Sequence, residues 1–250
     1  MRSLPWIVTI AAVALWQIAC MVLQIPTFIL PAPTEVLASF IQYYGPITTH
    51  SVQTLVTTLL GFGLAVLFGL VLGLVIGSSR LIYEALYPLM VAFNSIPKVA
   101  IVPVLVIWFG IGTVPAILTA FLISFFPIVV NVATGLATIE PELQDVMRSL
   151  GARKTQILWK IGIPRSLPYF FASLKVAITL AFVGSIVSET VAANAGIGYL
   201  MMAASSRFDV PLVFAGLVVV AVLGVVMYEI FVYLERRFTF WATRGTELVT

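Results

Sequence analysis

An all-α polytopic membrane protein with six transmembrane helices is the fold class this sequence predicts, on three observations. Of the 250 residues, 61% are hydrophobic and only 9% charged, whereas a soluble domain carries about 25% charged residues. Six segments, at 5–23, 52–77, 86–109, 114–137, 168–190 and 211–234, each hold the roughly 20 mostly apolar residues that cross a bilayer. With the N-terminus inside, ten Lys/Arg fall on cytoplasmic pieces (Arg2, Arg80, Arg148, Arg153, Lys154, Lys160, Arg165, Arg236, Arg237, Arg244) and only Arg207 falls outside. That bias places both termini in the cytoplasm. The chain reads as a single domain, 1–250. One cysteine and one histidine exclude an intrachain disulfide and argue against a metal site. No basic run is interleaved with aromatics in the nucleic-acid manner.

Taken in order, the first segment reads as a retained span. Its apolar run from Pro5 to Leu23 exceeds the signal-peptide core of about 7–15 residues. In the outer loop that follows, Thr34 is placed to cap a short helix. Leu37, Phe40, Ile41 and Tyr44 then recur on one face, which fits a helix on the outer interface or one packed against other spans. The second span carries Ala65, Gly69, Gly73 and Gly77, a small-residue stripe that lets helices approach closely. Packing inside the subunit and a dimer contact both remain open. Pro88, Asn94, Ser95, Pro97, Lys98 and Pro103 break the third span. Such a span persists in a bilayer only where protein or water satisfies the freed backbone groups. Pro115 and Pro127 interrupt the fourth.

Between the fourth and fifth spans lies a hydrophilic island at 140–168 with five Lys/Arg. Pro141 suits a first helical position, and Glu142 and Asp145 favour its positive end. Leu143, Val146, Met147 and Leu150 form one apolar stripe. Gly151 is placed to end the helix in a left-handed conformation. A second helical stretch, 153–161, is expected to stop at Pro164 and Pro168, where the fifth span begins. A short helix held by two spans can serve as a lever for a cytoplasmic partner; the alternative is a loop that shields the bundle.

The island's spacing resembles a known signature. Asp145-Val146-Met147, three residues, Gly151, nine residues, then Ile161-Gly162-Ile163-Pro164 is similar to the Glu-Ala-Ala…Gly…Ile-x-Leu-Pro motif of bacterial ABC importer permeases. Asp replaces Glu, Val-Met replaces Ala-Ala, and Ile replaces Leu. Leu30-Pro31-Ala32-Pro33-Thr34-Glu35, Ile96-Pro97-Lys98-Val99-Ala100-Ile101-Val102-Pro103, Trp108-Phe109-Gly110-Ile111-Gly112, Ser188-Glu189-Thr190 and Gly196-Ile197-Gly198-Tyr199-Leu200 resemble the nitrate/sulfonate/taurine branch of those permeases. The resemblance implies the type I ABC importer fold and a bacterial inner-membrane subunit. Its implied partners are a second permease copy, two cytoplasmic ABC ATPases and an extracytoplasmic substrate-binding protein. It implies an ATPase-coupling loop at 140–163, formed by Glu142, Asp145, Val146, Met147, Leu150, Gly151 and Ala152. No phosphate-cradling Gly-x-x-x-x-Gly-Lys-Ser/Thr occurs, so ATP and Mg are expected on the partner ATPase and no cofactor on this chain. The branch's solutes are sulfonates, taurine, nitrate, aromatic acids and heterocyclic vitamins or their precursors.

Ionisable residues within spans are expensive and default to functional hypotheses. Asn94, Ser95, Lys98, Asn131, Ser185 and Glu189 are the candidate lining of a translocation pathway. Lys98 is either a pathway charge or half of a structural pair. Glu189 is either a gate or a helix-end charge tied to the Asn194–Gly198 loop. Lys175 and Glu229 read as solvated at the interface, and His50 as lying outside the spans without a partner. The rival function is an ion- or proton-coupled transporter with Lys98 and Glu189 as coupling charges. An intramembrane enzyme is more remote, since no nucleophile–base pair is evident.

Overall fold

The computed structural model describes residues 4–138 and 141–239. Arg2, Glu140 and Arg244 lie outside them. The described chain forms helices and no strand. These are α1 (Leu4–Val22), α2 (Pro33–Gln42), α3 (Tyr44–Gly77), α4 (Arg80–Asn94), α5 (Val102–Phe109), α6 (Thr113–Ala137), α7 (Pro141–Ser149), α8 (Lys154–Ile157), α9 (Ile163–Ala192), α10 (Ile197–Ser206) and α11 (Val210–Phe238). Four helices are long and apolar enough to cross a membrane, or five if the bent α4–α5 pair counts as one span; α1 is a shorter apolar helix.

The bundle is organised around α6 and α9. Phe62 and Ala65 of α3, Ala120, Ile128 and Val132 of α6, Leu174, Ala177, Ile178, Ala181 and Phe182 of α9 and Met227 of α11 form the main core. Lipid is as apolar as leucine, so close packing rather than expulsion from water holds such helices together. The small-residue stripe does this inside the subunit. A β-carbon added at Gly69 would meet the Ile128 β-carbon at 2.8 Å, and one at Gly73 would meet the Val132 β-carbon at 2.7 Å. Gly77 abuts Leu136 in the same way, and Gly61 extends the stripe one turn earlier against Ala120. The question left open by the sequence is thus decided for α3: the stripe faces α6.

Three expectations about the spans are corrected. The second span begins eight residues early, at Tyr44 rather than 52. Its first turns look too polar for a span, yet the hydroxyls of Thr48, Thr49 and Ser51 donate to carbonyls of their own helix. The third span is two helices bent by 71° with a 3-10 turn, Lys98–Ile101, at the break. Pro97 and Pro103 each lack an N–H there. Third, Pro164 and Pro168 do not stop the helix. The chain passes from α8 through a π turn, Leu158–Gly162, straight into α9. The Ile163 N–H donates to the Leu158 carbonyl five residues back. That wider turn shifts the ladder where Pro164 would leave a donor missing and crowd a carbonyl.

The short helices α2 and α10 pack with the ends of α3 and α11 in a second cluster: Val36 of α2, Ile47 of α3, Ile197 and Ala204 of α10, and Leu212 and Ala215 of α11. Thr34 does not cap α2. The helix begins on Pro33, and the Glu35 carboxylate accepts from the Ala32 N–H at 2.8 Å. Thr34 is instead tied to α1, donating its N–H to Gln17 Oε1 at 3.2 Å. Of the predicted stripe, Phe40 turns toward the cluster while Leu37, Ile41 and Tyr44 stay exposed. The α10 helix carried no clear signal in the sequence.

Candidate functional site

Three places carry the candidate residues. On the island, α7 runs to Ser149 and ends at Gly151, whose φ is +77°. The Ala152 N–H donates to the Met147 carbonyl and the Gly151 N–H to the Arg148 carbonyl, both at 2.9 Å. This paired closure requires the left-handed residue that glycine supplies without strain. Val146 is 56% and Leu150 76% exposed, so the apolar stripe is displayed rather than buried in the bundle. Leu143 and Met147 are half-buried, and Glu142 is exposed. Asp145 pairs with Arg148 at 2.9 Å on the solvated side. Beyond the turn, Trp159 adds a further exposed aromatic.

The second place is the break between α4 and α5. The Lys98 ammonium donates to the Asn94 carbonyl and to Asn94 Oδ1, each at 2.7 Å. A cation there satisfies the unpaired carbonyls and complements the negative end of α4. Asn94 and Ser95 are exposed and Lys98 is half-buried. The Ser95 hydroxyl donates to the Val91 carbonyl of its own helix. Asn131 lies apart from this group, its amide donating to the Pro127 carbonyl at 2.8 Å.

The third place is a buried polar cluster where α3, α9 and α10 meet. Glu189, 2% exposed, accepts from Thr54 Oγ1 at 2.8 Å, Thr57 Oγ1 at 3.2 Å, Ser185 Oγ at 3.4 Å and the Gly198 N–H at 3.2 Å. Of the predicted residues, only Ser185 and Glu189 are brought together here. Thr54 and Thr57 were missed, although with His50 they stand at i, i+4, i+7 on one face of α3. His50 is not outside the helices and not alone. Its Nδ1 accepts from the Gly196 N–H at 3.0 Å, and its ring lies 5.7 Å from that of Tyr199.

Lys175 also departs from expectation. Its ammonium pairs with Glu235 at 2.6 Å, both side chains less than a quarter exposed. Nearby, the Phe171 and Phe238 rings stack at 5.6 Å. The sequence concealed this pair because 60 residues separate its partners. Among the described residues no group of His, Cys, Asp and Glu could hold a metal ion.

Known proteins are similar to this chain over most of its length. The model of the family described as binding-protein-dependent transport system inner membrane component matches residues 65–240. The chain is 30% identical to the formylaminopyrimidine transport permease protein ThiX of Halalkalibacterium halodurans, over 95% of each chain. It is 33% identical to the riboflavin transport system permease protein RibX of Chloroflexus aurantiacus, over 90% of this chain and 85% of that one. The taurine transport system permease protein TauC of Escherichia coli is 29% identical over 90% of this chain and 84% of its own length. In fold, the chain is similar to a solved chain of the MetNI methionine ABC transporter, with a TM-score of 0.66 at 19% identity, covering 74% of this chain and 93% of that one. These likenesses set aside the ion-coupled alternative. With its apolar helices and its match over most of its length, the chain belongs to the family of binding-protein-dependent transport system inner membrane components, the multi-pass permease subunits of ABC importers, whose ATPase is a separate subunit.

Proposed function

We propose that this permease forms, as a homodimer, the pathway for a small anionic or heterocyclic solute handed over by an extracytoplasmic binding protein. Two cytoplasmic ABC ATPases bind ATP and Mg and drive the cycle; this chain holds neither. The reading includes six spans with both termini in the cytoplasm, α1 and the bent α4–α5 pair each counting as one. Relatives named for formylaminopyrimidine, riboflavin and taurine support a heterocycle or a sulfonate.

One observation carries the coupling role of 140–163: a displayed apolar stripe, Val146 and Leu150, closed by a left-handed Gly151. Exposed apolar side chains on a water-facing loop call for a partner, and an ATPase groove supplies one for Glu142 through Ala152. The pathway role falls first on Asn94, Ser95 and Lys98, because a broken span at membrane depth has to face protein or water. Asn131, Ser185 and Glu189 are bonded within the subunit and stand further from that role.

The test is Gly151→Leu in a tagged chain purified from its own host's membranes. Leucine at a left-handed position is strained, so the ATPase is expected to be lost from the purified complex, or its hydrolysis to run without uptake. Normal assembly and uptake by Gly151→Leu would remove the support for this reading. Ligand identification by mass spectrometry on the co-purified binding protein would decide between heterocycle and sulfonate.

A further inference from the structure

We infer that Glu189 is a positioning residue that fastens the outer helix α10 to the far end of a rod beginning at the cytoplasmic island. The inference rests on the island being the ATPase seat.

The rod is one helix. From Thr155 to Ala192 the chain runs 38 residues without a break, about 57 Å at the rise of an α-helix. Its inner end continues the island through the π turn. At its outer end stands Glu189, whose carboxylate takes donors from three elements: Thr54 and Thr57 of α3, Ser185 of α9 itself and the Gly198 N–H of α10.

The α10 helix depends on that end. A helix start leaves its first N–H groups without partners inside the helix, and here they are buried. Three consecutive donors are met from outside. The Gly196 N–H goes to His50 Nδ1 at 3.0 Å, the Ile197 N–H to Thr54 Oγ1 at 2.8 Å and the Gly198 N–H to Glu189 Oε2 at 3.2 Å. Thr54 serves twice, accepting from Ile197 while donating to Glu189. The fit leaves no slack. A β-carbon at Gly196, where φ is +106°, would overlap the Glu189 carboxyl, and one at Gly198 would meet the Ile186 carbonyl at 2.6 Å. A buried donor left unpaired costs about 1–3 kcal/mol, so α10 follows Glu189 rather than detaching from it. A displacement of the rod therefore reaches the outer face as a displacement of the α10 start.

The test uses the tagged complex with its co-purified ATPase, in a Cys20→Ser background, with Asn194→Cys as an exposed reporter beside α10. A water-soluble maleimide is applied in ADP and in ATP plus vanadate. The expected result is a labelling rate that differs between the two states, with the difference lost in Glu189→Ala while the complex still assembles. A residue that merely stabilises the fold would lower the yield and leave the state dependence intact. If Glu189→Ala does not assemble, Thr57→Val and Ser185→Ala each remove one donor and are expected to shrink the difference. A difference that survives these changes, or that is absent with Glu189 in place, overturns the inference. Ser149→Cys on the island separates the two readings. If it is not shielded from maleimide when the ATPase is bound, the coupling reading itself fails; if it is shielded while Asn194→Cys stays insensitive, only the rod inference falls.

Discussion

Both α3 and the α4–α5 pair pack on α6, in opposite ways. The contact made by α3 is a ridge of small residues so close that a β-carbon at Gly61, Gly69, Gly73 or Gly77 would come within 3 Å of α6. Its deepest side chains, Thr54, Thr58 and Ala65, are fully buried. None of the described side chains of α4 is buried, and Leu81, Leu89, Ile107 and Trp108 along α4–α5 remain well exposed. One helix is bolted to the bundle; the other is bent, capped by its own lysine and left with a free face. The difference teaches where the chain is rigid and where it has surface left uncovered.

The largest expected effect comes from attacking the bolt. Gly73→Leu forces a side chain into the Val132 side chain and the Val129 carbonyl. Overpacking of this kind costs about 1–3 kcal/mol or more. Thermal unfolding of the detergent-purified protein should show a large loss, whereas Ala92→Leu on the exposed face of α4 should change little. Equal effects would break the contrast.

Next comes the Lys175–Glu235 pair, which ties α9 to α11. Removing one partner strands a charge, at up to about 3–5 kcal/mol when fully buried; partial exposure reduces this. Lys175→Met should lower the unfolding midpoint, and Lys175→Met with Glu235→Met should recover part of the loss. A double variant no better than the single would show that the pair is not the cause.

A smaller change in stability is expected at the break itself. Lys98→Met removes the cap of α4, and end effects of this type are about 0.3–1 kcal/mol. Uptake of an anionic solute should fall by a larger factor than stability alone accounts for. If uptake is unchanged, Lys98 serves only the helix end. The smallest effect, and of opposite sign, belongs to Gly63. No atom lies within 4 Å of a β-carbon added there, so Gly63→Ala should stabilise α3 by about 0.5–1 kcal/mol. Destabilisation there would mean that this face of α3 is also covered.

The membrane class, the helical fold and the short helix closed by Gly151 were legible in the sequence because each rests on local pattern. Apolar length marks a span, a charge run marks its edge, and Gly151 marks a helix end through its own backbone. The small stripe announced a close contact in the same way, since Ala65, Gly69, Gly73 and Gly77 recur every fourth residue. It could not name α6 as the partner, because periodicity describes one surface at a time.

Only the tertiary structure decided which polar groups meet. Glu189 and Thr54 are 135 residues apart, Gly196 and His50 146, Lys175 and Glu235 60. A lone histidine and two threonines on α3 carry no signal of a carboxylate and a helix start waiting across the bundle. Water satisfies such groups in an extended chain. In a folded membrane protein only another part of the chain can do so, and the packing of α3, α9 and α10 selects which part it is.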